Sequence, residues 1–96
     1  KGVDLVEAES IIMFQSSDGY TKVYLDNGVN KISSKRLKYF EENLDSSFKR
    51  IHRSIIVNTN YIEKYYKSGF VVLKNGQELP VGRKYKNNMK ELIGNR

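Results

Sequence analysis

The sequence predicts a mainly β domain of small antiparallel sheets with two short helices. Three observations carry that reading. Apolar and polar residues alternate in short runs such as Tyr20-Thr21-Lys22-Val23-Tyr24-Leu25, the period of two expected of half-buried strands. Asn-Gly pairs at Asn27-Gly28 and Asn75-Gly76 separate such runs, where hairpin turns need residues that accept positive φ. Only two stretches, around Leu37 and around Met89, place apolar residues at helical spacing. Connections this short suit antiparallel hairpins and leave no room for the crossovers of a parallel sheet.

Residues 1–9 read as an extended lead-in. Ile11-Ile12-Met13-Phe14 is a short buried strand, followed by a polar loop from Gln15 to Gly19, where Gly19 supplies positive φ. The strand from Tyr20 to Leu25 sends Thr21, Val23 and Leu25 to one face and Tyr20, Lys22 and Tyr24 to the other. Asp26-Asn27-Gly28 predicts a type I′ turn, after which Val29 to Ile32 returns antiparallel. The first helix begins near Ser33 or Ser34, either of which is a good N-cap. Leu37, Phe40 and Leu44 form its apolar stripe, Lys35, Arg36, Glu41 and Glu42 lie off it, and it stops near Asp45-Ser46-Ser47.

Ser54 to Asn58 is β-branched and largely apolar, a central strand packed on both faces, with Val57 in the core and Asn58 capping a turn. Tyr61 to Tyr66 and Phe70 to Leu73 are strands joined by a turn at Lys67-Ser68-Gly69. Glu78-Leu79-Pro80-Val81 is an edge or terminal strand, because Pro80 has no N–H for a ladder. Arg83 to Ile93 is an amphipathic helix with Tyr85, Met89, Leu92 and Ile93 on its apolar side, ended by Gly94.

The 96 residues fit a single domain over 1–96, too short for separate cofactor and substrate domains. The chain opens Lys1-Gly2-Val3 without an initiator Met, so it is expected to be a piece of a longer protein. With no Cys there is no disulfide framework, thiolate metal site or Cys nucleophile. No apolar run exceeds four residues, as in Ile11 to Phe14, far short of a membrane span. The single His (His52) has no second metal ligand at a usable spacing and no acid placed to orient it. HExxH, GxxxxGK[ST] and GxGxxG are absent. No enzymatic activity, metal or cofactor is expected.

Charge is distributed unevenly. Residues 1–45 carry six Lys/Arg and eight Asp/Glu, whereas residues 46–96 carry eleven Lys/Arg and three acids, within a net charge of +6. Clustered like charges repel unless a partner neutralises them, so one surface is expected to meet a polyanion. Three segments hold the relevant groups. The first is Ser16-Ser17-Asp18-Gly19-Tyr20 with Lys22 beyond it. The second is Lys49-Arg50-Ile51-His52-Arg53-Ser54, before the central strand. The third is Gly82-Arg83-Lys84-Tyr85-Lys86, before the last helix. Lys serves phosphate as a point charge, Arg offers a planar fork that matches guanine O6/N7, and Ser, His and backbone N–H groups reach phosphates or base edges.

The run Phe48-x-Arg50-Ile51-His52-Arg53-Ser54-x-Ile56-Val57-Asn58, followed by Leu73-x-Asn75-Gly76-x-x-Leu79-Pro80-Val81-x-Arg83-x-Tyr85, resembles the LytTR-type DNA-binding domain. Ile12-x-Phe14 to Gly19-Tyr20-x-x-Val23 also fits, so the resemblance covers about residues 3 to 93. It implies an elongated arrangement of small antiparallel β-sheets whose loops, rather than a recognition helix, enter successive major grooves of double-stranded DNA. It further implies a cytoplasmic bacterial response regulator in a two-component system, with an upstream receiver domain. Paired direct repeats at promoters, bending of the DNA and a possible second copy on it are also implied. Residue by residue, the base-reading positions are Arg53 and Arg83, with His52 beside the first. Ser17, Asp18, Tyr20, Lys22, Arg50, Ser54, Lys84 and Lys86 are backbone-contacting or supporting. Asp18 departs from the His or Arg found there in some members, and phosphate repels it unless it accepts from a cytosine N4 amine or braces an Arg. Two other readings fit the composition. A basic β domain could stack RNA bases on Tyr20 and Tyr24, and a protein-interaction module could use Tyr65 or Tyr66.

Overall fold

A computed structural model describes residues 6–94, the last four as helix backbone. Eight strands run β1 Ile11–Ser17, β2 Tyr20–Leu25, β3 Asn30–Ser33, β4 Phe48–His52, β5 Ile55–Asn58, β6 Ile62–Tyr66, β7 Phe70–Leu73 and β8 Glu78–Pro80. The helices are α1, Leu37–Asn43, and α2, Lys86–Gly94. Short 3-10 turns occupy Ala8–Ser10, Thr59–Tyr61 and Arg83–Tyr85. One sheet has the order β3-β2-β1-β5-β4 and the other β6-β7-β8. Every ladder is antiparallel. The molecule is elongated, 45 × 24 × 21 Å.

β5 explains the two-sheet arrangement. All four of its residues are buried, and its side chains divide between two cores. Ile55 and Val57 join Met13, Ile51, Val71, Leu73, Leu79, Val81 and Met89, the core shared by both sheets and α2. Ile56 joins Ile11, Phe14, Val23, Leu25, Leu37 and Phe48, with Phe40 and Leu44 of the α1 region packed on them. Phe14 lies 4.6 Å from Phe40 and 5.7 Å from Phe48, ring centre to ring centre. The faces of β2 fall as the alternation predicts, with Thr21, Val23 and Leu25 buried. Asn58 donates through Nδ2 to Ile11 O (2.9 Å) and accepts through Oδ1 from Asn60 N–H (3.0 Å), so it does cap a turn while also bracing β1.

Several local expectations are corrected. The lead-in is not extended throughout, since Ala8–Ser10 makes a 3-10 turn, and its first five residues lie outside the described residues. Asp26-Asn27-Gly28 is a three-residue loop, not a type I′ turn. Gly28 alone has positive φ (87°), Gly28 N–H donates to Leu25 O (3.1 Å) and Leu25 N–H to Val29 O (3.0 Å). Asn27 contributes its side chain, accepting from Val29 N–H at 2.9 Å. Lys74-Asn75-Gly76 repeats this geometry. The turn with two positive φ values is Asp18-Gly19 (46° and 90°), so β1 runs on through Ser17 and the predicted polar loop shrinks to two residues.

Helix α1 starts later than predicted, with Arg36 at its N-cap and no side-chain cap. Ser33 is held in β3 opposite Thr21, and its Oγ accepts from Lys35 N–H instead. The basic segment before the central strand is itself a strand, β4, paired with β5. Helix α2 includes Gly94 rather than stopping before it. The side chains of Leu92 and Ile93, assigned to its apolar stripe, lie outside the described residues.

Candidate nucleic-acid interface

The first segment is the tip of the β1-β2 hairpin. The two positive φ values at Asp18-Gly19 put Asp18 and Tyr20 at the exposed end, and Lys22 stands half-buried on β2 with its ammonium 5.9 Å from the Tyr24 ring centre. Tyr24 donates its hydroxyl to Gln15 Oε1 (3.1 Å). A backbone bond, Ser16 N–H to Ser54 O at 3.0 Å, fastens this tip to the second segment.

The second segment is the tight β4-β5 turn at Arg53-Ser54. Ser54 N–H donates to His52 Nδ1 (3.1 Å), and Ser54 Oγ lies 2.9 Å from the same nitrogen. Nδ1 is therefore the acceptor, which leaves the ring proton on Nε2 as a donor. Arg50 braces the turn from within. Its Nε donates to His52 O (3.0 Å), Nη1 to Glu41 Oε1 (2.8 Å) and Nη2 to Arg53 O. Its side chain is only 15% exposed. Arg53 is exposed, and its contribution to this network is its carbonyl.

The third segment docks against the second. Gly82 N–H donates to Ile51 O at 2.7 Å, and Tyr85 N–H back to Gly82 O at 2.9 Å. A Cβ on Gly82 would stand 3.2 Å from the Tyr85 ring, which would have to give by a few tenths of an ångström, and at ordinary contact distance, 3.7 Å, from His52. The Arg50 guanidinium lies 5.8 Å from the Tyr85 ring centre, and Asn88 Nδ2 donates to Arg50 O (2.6 Å). Arg83 and Lys84 are exposed at the start of the 3-10 turn. Lys86 is half-buried and donates to Lys67 O (3.2 Å), across to the β6-β7 turn.

Hydrogen bonds thus join the three segments in series, first to second through Ser16 and second to third through Gly82. The β1-β2 tip and the β4-β5 turn share one surface hollow that Asp18, Tyr20, Arg50 and Arg53 line. Two residues that the sequence reading left out of the site, Arg36 and Lys38, line the same hollow. They flank Leu37, whose side chain is buried, so they stand where α1 docks. The one available signal was two cations bracketing a core residue, and it acquires meaning only once α1 is seen packed beside β1 and β4. Glu7, Glu9 and Asp45 line a different hollow, whereas Asp18 is the one acid lining the hollow that holds Arg36, Lys38, Arg50 and Arg53. Among the described residues, no helix is long and apolar enough to cross a membrane.

A small antiparallel β domain whose three polar, cation-bearing segments are hydrogen-bonded in series, the first two around one hollow, defines the class of the fold. The comparisons narrow this class to one family. The chain belongs to the LytTr DNA-binding domain family, whose model matches residues 1–94. It is 29% identical over 97 residues to the sensory transduction protein LytT of Bacillus subtilis (strain 168), a match spanning 97% of this chain and 40% of that protein. It is likewise 29% identical to the transcriptional regulatory protein LytR of Staphylococcus aureus (strain N315), over 96% of this chain and 39% of that one. A solved LytTr DNA-binding domain from Bacillus cereus superposes with a TM-score of 0.84 at 29% identity, covering 93% of this chain and 85% of that one. The chain therefore spans about 40% of the length of the curated relatives it matches.

Proposed function

We propose that this domain binds double-stranded DNA sequence-specifically, as the output module of a bacterial transcriptional response regulator. The observation that carries the proposal is the bonded series from Asp18-Gly19 through Arg53-Ser54 to Gly82-Arg83, which holds cations from distant parts of the chain in a fixed relation. Arg53 and Arg83 read base edges from the major groove, with His52 offering its Nε2–H beside Arg53. Lys84, Lys86 and Lys22 serve phosphates, with Ser17, Tyr20 and Ser54 contacting or supporting the backbone. Arg50 acts as a support, because its guanidinium is engaged within the protein. Asp18 sits among cations and tempers attraction to phosphate. In the full-length protein a receiver domain stands upstream, and two copies occupy paired direct repeats at a promoter. The RNA reading has less support, since one of its two stacking tyrosines, Tyr24, is partly buried and packed against the core.

The test is selection of bound duplexes from a random pool with this chain. The expected result is a defined consensus, recurring about one helical turn (10–10.5 bp) away when two copies bind. Enrichment of no consensus, or displacement of a selected duplex by equimolar single-stranded RNA, overturns the proposal.

A further inference from the structure

The three-stranded sheet buries one face and exposes the other. Tyr65, Val71, Leu73 and Leu79 point into the core shared with the larger sheet. The alternate residues form two cross-strand rows on the outside, since directly paired residues share a face. One row is Tyr66, Phe70 and Pro80, and the next is Lys64, Val72 and Glu78. The first is apolar, with Tyr66 39% exposed and stacked on Phe70 at 4.7 Å and 15°. The second carries opposite charges at its two ends, Lys64 on β6 and Glu78 on β8, both exposed. They stand two strands apart, roughly 10 Å, and are not paired with each other; the Lys64 ammonium lies 5.4 Å from the Tyr66 ring centre instead.

From this face we infer a self-association surface that seats a second copy of the same chain about a two-fold axis. The rows select the axis. Rotation about a line parallel to β7 exchanges the sheet's edges, bringing Lys64 of each copy over Glu78 of the other. The same rotation sets Phe70 on Phe70, Val72 on Val72 and Tyr66 on Pro80. Rotation about a line across the strands leaves every charge against an apolar side chain. Growth at the edges is hindered, because Pro80 lacks an N–H on β8 and β6 is bulged between Ile62 and Lys64. Six side chains per copy is far below the 20–30 residues a side of a standard interface, so the contact is weak. It fills at high local concentration, as when copies bound to separate stretches of DNA are brought together. Two-fold symmetry suits inverted sites or separate stretches of DNA, whereas tandem direct repeats relate their copies by translation.

The experiment needs no DNA and does not depend on which bases are read. Sedimentation equilibrium of the 96-residue chain should show average mass rising with concentration, and NMR dilution shifts should centre on Tyr66, Phe70 and Val72. Lys64→Glu and Glu78→Lys should each abolish association, because each places like charges together at both edges. An equimolar mixture of the two variants should restore it, because each then meets the opposite charge twice. Tyr66→Ser should weaken it without changing charge. Both charge positions are exposed, and circular dichroism checks that the variants fold. A wild-type chain whose mass does not rise with concentration overturns the inference. So does association that survives both single variants, or that mixing fails to restore.

Discussion

Arg50 and Arg53 stand three residues apart in one hairpin and are used differently. Every nitrogen of the Arg50 guanidinium has an acceptor, namely His52 O, Glu41 Oε1 and Arg53 O. Its value lies in the two carbonyl bonds and the contact with Tyr85, since an ion pair with a carboxylate as exposed as Glu41 is worth under about 1 kcal/mol. Arg50→Ala should therefore lower the melting temperature and weaken binding to all duplexes together, because the turn that presents Arg53 loosens. Arg53→Ala should leave the melting temperature unchanged, cost about 1–3 kcal/mol on the selected site and relax preference at one base position. Arg83→Ala should do the same at a different position. Lys84→Ala should instead weaken every sequence alike and reduce the salt slope by about 1. Thermal melts beside duplex titrations at several salt concentrations separate these outcomes. Asp18→Asn keeps a residue suited to positive φ and removes a negative charge from the cationic hollow. It should tighten binding to all duplexes. A change confined to one base position would instead assign the carboxylate to a cytosine N4 amine.

At the scale of elements, Gly82 is where the last strand and α2 meet β4. Its backbone φ is an ordinary −68°, so the constraint on it is space. Gly82→Ala should cost about 1–3 kcal/mol of stability, because the Tyr85 ring must give way to the new Cβ, and should weaken DNA binding through the displaced Arg83. Unfolding in denaturant and a single-duplex titration check the two effects. Asn58→Ala should cost about 1–3 kcal/mol or more, because it orphans Ile11 O and Asn60 N–H at a position only 2% exposed. It should leave the base preference of the folded protein intact. What the sequence revealed follows the same division between local and distant causes. The faces of β2 and the double burial of β5 were legible because side-chain alternation is a local property. The turn at Asp26-Asn27-Gly28 was misread because Asn has two uses, positive φ or a side-chain acceptor, and residue identity does not distinguish them. Strand β4 was hidden by composition, since Lys49, Arg50 and His52 surround one fully buried residue, Ile51. The N-cap failed because Ser33 was already committed to pairing with β2. Arg36 and Lys38 were missed because their place in the site depends on α1 packing beside strands remote in sequence.

Across the whole molecule, the two sheets share one core, and Tyr61 adds a polar tie between their ends. Its hydroxyl, just before β6, lies 2.9 Å from both Glu9 O and Asp26 Oδ2, which belong to the lead-in turn and the β2-β3 loop. One hydroxyl proton serves both acceptors, so the tie exists only while Tyr61 is protonated. Burial pushes the phenol above its ordinary value of 10.0, and the hydrogen bond to Asp26 and the charges of Asp26 and Glu9 push it the same way. The folded protein therefore holds this proton at a pH where the unfolded chain has released it, and stability must fall as pH rises through that window. The contribution of Tyr61 is fully present below pH 10 and is lost progressively above it. Tyr61→Phe should be less stable than wild type at about pH 8, and the gap should narrow as the pH is raised past 10. Asp26→Asn should flatten the alkaline loss, because it removes the carboxylate that disfavours the phenolate. Denaturant unfolding of the three proteins below and above pH 10 measures this. If the gap between wild type and Tyr61→Phe stays constant across the range, the proton on Tyr61 is not part of what joins the two ends of the fold.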